Sequence, residues 1–176
     1  MQHLNQFAKK TPKSYNTCCL IYLILNLLKN MLYIASDHGG YKLKNRLIRY
    51  LKNELNQSVE DVGPFEYLAT DDYPDYAVLL AKKVVNNKDN FGILICGTGN
   101  GVCIAANKIN GARAIIGYNI EATIQGKEHN NANILCLAGQ MLTEDHAMAI
   151  VKKFLETSFS NDERHVRRLE KIEKNN

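Results

Sequence analysis

Five short apolar runs, separated by stretches with helical spacing, leave this chain few architectures. The runs are LYIAS at 32–36, VEDVG at 59–63, FGILIC at 91–96, RAIIGYN at 113–119 and ANILCLAG at 132–139. All read as buried strands. Between them, Leu43, Leu47, Ile48, Leu51 and Leu55 share one helical stripe. Ala77, Leu80, Ala81, Val84 and Val85 form another, behind a Pro74 suited to a first helical turn. Thr143, followed by Glu144 and Asp145, reads as a helix start ahead of the stripe Ala147, Ile150, Val151, Phe154 and Leu155. Neighbouring parallel strands need crossovers, so the alternation implies a five-stranded parallel sheet with helices on both faces. Ligands of such sheets bind at the carboxyl ends of the strands. The chemistry is therefore expected at Asp37 and His38 after the first run, in the loop ending DDYP after the second, at residues 96–101 after the third, and at Gly139 and Gln140 after the fifth.

The bulk numbers fit one soluble domain, since 176 residues with 45% hydrophobic and 23% charged content can bury a sizeable core. A net charge of +4, spread among acidic residues until the tail, argues against a nucleic-acid partner. Cys18, Cys19, Cys96, Cys103 and Cys136 make an odd set without a CxxC pair, which reads as reduced thiols of a cytoplasmic protein. No HExxH, EF-hand or Cys/His cluster calls for a metal, and no motif calls for a cofactor.

Residues 1–30 read as an N-terminal extension outside the fold, with the domain occupying 31–176. The extension has no acidic residue, carries Lys9, Lys10 and Lys13, and runs apolar over residues 18–28, CCLIYLILNLL. Those eleven residues fall short of the about twenty that span a bilayer, so no membrane partner is expected. A secretory reading lacks an A-x-A-like cleavage site. An organelle-targeting leader is the alternative to a plain extension.

The third run ends in ILICGTGNG at 93–101 and leads into the helical VCIAANKI. Backbone N–H groups in such a loop can converge on an anion at the start of a helix. The glycines follow neither the Walker nor the GxGxxG pattern, and a tight turn without a ligand would look the same. Cys96 is either an inert core thiol or, beside those donors, a nucleophile or base with its pKa lowered toward neutrality. Cys103 and Cys136 read as packing. Asp37 and His38 put a carboxylate and an imidazole at a strand end, and EHNNAN places His129 and Asn130 ahead of the fifth run. To reach the carboxyl ends, His129 would need its loop to pass over the sheet or into a neighbouring subunit. ERHVRR sets Arg164 and Arg168 four apart on one helical face, either solvated or a phosphate clamp. A base, an anion hole, an acid/base histidine and a phosphate clamp together suit proton abstraction beside a carbonyl in a phosphorylated sugar.

SDHGGYKLK, DDYPDYA, GILICGTGNGVCIAANKINGARA, EHNNANIL and ERHVRRLEKI occur in the order and spacing of a known group. From residue 31 to 174 the chain resembles type B ribose-5-phosphate isomerases, of the sugar-phosphate isomerase family that also contains galactose-6-phosphate isomerase. The resemblance implies a Rossmann-like three-layer α/β/α sandwich with a C-terminal helical arm, acting on a sugar phosphate as a homodimer with sites shared between subunits. A tetramer is left open. It implies interconversion of D-ribose 5-phosphate and D-ribulose 5-phosphate in the pentose phosphate pathway. Carried over by position, Cys96 is the base, Thr98 assists the proton relay, and the backbone of Gly97, Gly99, Asn100 and Gly101 holds a cis-enediolate. Asp37 and Tyr73 contact the sugar, His129 with Asn130 beside it opens the furanose ring, and His38, Arg164 and Arg168 bind the phosphate. Part of the family uses a glutamate six positions after this cysteine; Val102 stands there, which fits the cysteine version. One departure is Gln140, where the family commonly has arginine. A six-carbon sugar phosphate, such as allose 6-phosphate or galactose 6-phosphate, and a non-catalytic phosphosugar-binding protein are the competing readings.

Overall fold

The five apolar runs become five parallel strands of one sheet, with helices packed on both of its faces. A computed structural model describes residues 30–174. The expectations for residues 1–29, including the apolar run, its two cysteines and any leader, lie outside the described residues. The chain order is β1 Leu32–Ser36, α1 Tyr41–Asn53, β2 Val59–Asp61, α2 Tyr73–Val85, β3 Phe91–Cys96, α3 Asn100–Ala106, β4 Ala114–Ile116, α4 Ile120–Asn130, β5 Ile134–Ala138, α5 Glu144–Glu156 and α6 Glu163–Glu173. The strands lie in the order β2-β1-β3-β5-β4, all parallel. The result is the Rossmann-like three-layer arrangement expected, with α6 as its C-terminal arm.

The period of two along each strand divides the core into two layers. Ile34, Ile93, Ile95, Leu135 and Leu137 face α1 and α5, where Leu43, Leu47, Leu51, Ile150, Val151 and Phe154 close over them. Ala35, Leu94, Cys96, Ile134 and Cys136 face the other way, against Leu80, Val84, Val102 and Ala106 of α2 and α3. Each buried leucine or isoleucine stabilises the fold by roughly 1.5–3 kcal/mol, so register is fixed on both faces at once. Cys103 and Cys136 lie inside the second layer, and burial pushes the Cys136 thiol up. Both are packing, as the sequence suggests.

Three strands, β2, β4 and β5, are shorter than their apolar runs; Val62 and Gly63 continue the β2 ladder only as single bonds to β1, and Gly117 makes a single bond to Cys136 of β5 beyond β4. The helix α4 has no apolar stripe; its buried residues are Thr123, Gly126 and Lys127. It is defined instead by its ends, with Asn119 Oδ1 accepting from the Ala122 N–H at 2.7 Å and Asn131 leaving at φ 46°. Among the described residues no helix is long and apolar enough to cross a membrane.

Candidate active site

The chain runs from β1 to β2 on one side, then returns to place β3 on the other side of β1, so the strand order reverses between β1 and β3. Crevices form at the carboxyl ends on either side of such a point. The two loops there, residues 37–40 and 97–101, pack backbone to backbone. A Cβ on Gly39 would fall 2.8 Å from Gly97 N and 3.2 Å from Asp37 Oδ1, so no side chain fits between them. Asp37 N–H donates to the carbonyl of Ile95, locking the first loop onto β3.

Cys96 is the last residue of β3 and is buried. Its Sγ accepts the backbone N–H of Gly99 at 3.1 Å. Gly99 has φ 79°, a left-handed conformation that glycine adopts without the steric cost of a Cβ, and this turns its N–H back toward the sulfur. Thr98 and Asn100 are exposed on the rim, with Thr98 Oγ1 accepting from the Asn100 N–H at 3.4 Å. Tyr73 opens α2 and lays its ring over the loop, where a Cβ on Gly101 would sit 2.7 Å from the Tyr73 Cζ. Gln140 closes the other side, donating its N–H to the Gly97 carbonyl and resting its side-chain amide against Gly97.

Asp37 is buried, and its Oδ1 accepts from the Gly40 N–H at 3.0 Å. Burial pushes its carboxyl up, and the Gly40 N–H offsets that in part. His38 is fixed by Asp71, whose Oδ1 lies 2.6 Å from the imidazole Nδ1 and accepts the His38 backbone N–H at 3.0 Å. The Asp71 hydrogen bond holds the His38 imidazole above its ordinary pKa.

The remaining site residues lie at the opposite pole. His129 and Asn130 end α4, ahead of the first residue of β5. The β3–β5 register pairs Gly92 with Ile134 and Cys96 with Ala138, so about 13 Å of strand separates the start of β5 from the level of Cys96. The His129 ring stacks on His165 with centroids 4.3 Å apart. Ser160 Oγ lies 2.8 Å from His165 Nδ1, and the Ser160 N–H donates to the Glu128 carbonyl at 3.0 Å. Arg113 pairs with Glu173 at 3.2 Å and donates from Nε to the Asn131 carbonyl. These contacts dock α6 on the end of α4. Arg164 and Arg168 stand exposed on either side of the buried His165. Burial pushes the His165 imidazole down, helped by its neighbours His129 and Arg164. The sequence-derived residues thus fall into two clusters: Asp37, His38, Tyr73, Cys96 and residues 97–101 at the carboxyl ends, and His129, Asn130, Arg164 and Arg168 at the amino ends.

Asp71 and His165 belong to these clusters without having been singled out from the sequence. The first lies in the DDYP stretch already marked as a site loop; the second sits inside the arginine motif. Among the described residues no three His, Cys, Asp or Glu side chains gather as a metal site.

Residues 32–172 match the Ribose/Galactose Isomerase family. The chain is 44% identical over 142 residues to a protein of Mycoplasma genitalium described as a probable ribose-5-phosphate isomerase B, covering 80% of this chain and 92% of the relative. It is 39% identical over 138 residues to ribose-5-phosphate isomerase B of Mycobacterium tuberculosis, covering 78% of this chain and 85% of the relative. The crystal structure of Mycoplasma genitalium ribose-5-phosphate isomerase B with bound ribulose-5-phosphate superposes with a TM-score of 0.80 at 42% identity, covering 84% of this chain and 96% of that one.

Proposed function

The chain belongs to the ribose/galactose isomerase family, and from that premise we propose that it interconverts D-ribose 5-phosphate and D-ribulose 5-phosphate. The observation that carries this reading is Cys96, enclosed at the reversal point of the sheet with one N–H donor on its sulfur and the Asp37 loop packed against its own. Cys96 takes the proton from C2 of the open-chain aldose and returns it to C1. Positioned proton transfer of this kind contributes about 10²–10⁴-fold. The oxyanion of the cis-enediolate between the two steps is met by backbone N–H groups of residues 97–101, where one preorganised donor is typically worth about 3–4 kcal/mol. Thr98, on the rim, relays the hydroxyl proton between O2 and O1. Asp37 and Tyr73 hold the sugar hydroxyls.

His129, Asn130, Arg164 and Arg168 serve the same substrate only if a second copy of the chain lends them, because their own Cys96 lies at the far end of the sheet. On this reading the enzyme works as a homodimer. Each Cys96 crevice receives the partner's histidine for ring opening and the partner's two guanidiniums, beside His38, for the phosphate.

The test is an assay of the purified protein on ribose 5-phosphate beside allose 6-phosphate and galactose 6-phosphate, with Cys96→Ala as control. Preference for ribose 5-phosphate, lost in the variant, is the expected result. Preference for a six-carbon sugar would reassign the substrate, and well-folded protein without turnover on any of the three would favour a binding protein.

A further inference from the structure

Asp71 stands in the loop between β2 and α2, far along the chain from the glycine-rich turn, yet two of its contacts converge on one site residue, and the Tyr76 hydroxyl also interacts with its carboxylate. Its Oδ1 accepts the His38 backbone N–H at 3.0 Å and lies 2.6 Å from His38 Nδ1. Its side chain is 4% exposed, while that of His38 is 39% exposed. Among the described residues the other oxygen, Oδ2, is buried without a hydrogen-bond partner. Burying a carboxylate half-satisfied is costly unless a cation stands against it. The loop is also anchored ahead of Asp71: Lys44, wholly buried, donates to Asp61 at 2.7 Å and to the Pro64 carbonyl at 2.6 Å. The Tyr41 hydroxyl holds the Phe65 carbonyl at 3.2 Å.

We propose that Asp71 is the positioning residue of His38, holding the Nδ1 hydrogen on the carboxylate so that in the charged ring Nε2, on the opposite side, presents its N–H to the substrate phosphate. This rests on the reading of His38 as a phosphate ligand. A free imidazole turns either nitrogen toward an anion and is only partly charged at neutral pH. Held by Asp71, it offers one N–H in one direction and keeps its charge to higher pH, the direction in which Asp71, and more weakly Asp37, shift it. The charged and titratable groups around the pair are Asp37, just after β1, and Tyr76 on α2, with Asp75 acting on Tyr76 in turn. Tyr76 is itself pushed up by burial and by the Asp71 charge.

Two measurements decide it. Nitrogen-15 NMR of the wild-type protein above the His38 titration should find the neutral ring protonated on Nδ1; protonation on Nε2 overturns the proposal without any variant. In Asp71→Asn, the His38 titration should move to lower pH. KM for ribose 5-phosphate should rise roughly tenfold at pH 8, the scale of one lost charged hydrogen bond, and less at pH 6, with kcat little changed. The same substitution in a His38→Gln background should add little further, since Asp71 acts through His38. Full additivity, or an unmoved titration, refutes the positioning role. Failure of the wild-type protein to turn over ribose 5-phosphate, with the Nδ1 tautomer and the shifted titration in place, would instead count against the substrate assignment.

Discussion

Lys127 offers a test of the fold's energetics through pH alone. It lies in the last turn of α4, two residues before His129, and is 3% exposed. Its ammonium sits 4.1 Å from the Phe91 ring centroid and 4.9 Å from that of Phe154, and donates to the Ala132 carbonyl at 3.1 Å. Burial, with a smaller push from Arg113, brings its pKa down to about 8 from 10.5. The unfolded chain thus binds this proton more tightly than the native one. Below pH 8 both states are charged and the native state bears the full cost, about 3 kcal/mol. As pH rises from 8 to 10.5 the native amine is already neutral while the unfolded one is not, so the cost is relieved and stability rises with pH. Lys127→Met keeps an unbranched stem between the two rings and removes the titration. Other thiols and phenols titrate in this range, so the quantity to follow is the difference between the two proteins, by urea unfolding at pH 7 and pH 10. That difference should shift by about 2–3 kcal/mol in favour of the wild type at pH 10, or roughly 5–10 °C in Tm. A difference that stays constant with pH would refute the argument.

Arg168→Ala should raise KM for the sugar phosphate about tenfold or more and leave kcat near wild type, checked by steady-state kinetics; an unchanged KM would place the phosphate elsewhere. Mixing inactive Cys96→Ala protein with inactive His129→Ala protein, after subunit exchange, should recover activity, because mixed dimers contain one intact site; no recovery would refute sites shared between copies. Gly101→Ala drives a Cβ to 2.7 Å from the Tyr73 ring, so Tyr73 must move; a several-fold loss in kcat/KM with at most about 1–3 kcal/mol lost in stability is expected from kinetics and thermal melts.

Elements bordered by apolar pattern were legible in the sequence. The strand β3 at Phe91–Cys96 and the strand β1 at Leu32–Ser36 fall where their runs do, and Thr143 caps α5 as its neighbours suggest, accepting from the His146 N–H. The helix α4 was hidden because its inward face carries Thr123, Gly126 and Lys127, which leave no stripe; its local signs are confined to its ends, the Asn119 cap and Glu121 at the start and Lys127, His129 and Asn131 at the finish. The cluster around Cys96 could be read because each member follows a strand. Asp71 was not legible as a partner of His38, since nothing local ties a residue of the β2–α2 loop to one thirty-three positions earlier. The separation of His129 from Cys96 follows from strand direction, which the sequence implies. The stacking of His129 on His165 depends on how α6 docks, and that is set by Arg113, Glu173 and Ser160 rather than by any motif.

The central claim is that Cys96 moves the proton between C2 and C1 of ribose 5-phosphate. Incubating the protein with ribose 5-phosphate in D₂O and following the sugar by proton NMR reads the reaction and its proton together. The account predicts ribulose 5-phosphate formed by the wild-type protein, with deuterium at C1 in the fraction of turnovers in which the Cys96 thiol exchanges its proton with solvent before handing it on, and formation reduced by about 10²-fold or more in Cys96→Ala. Undiminished turnover in the variant, or no ribulose 5-phosphate from folded wild-type protein, would contradict it.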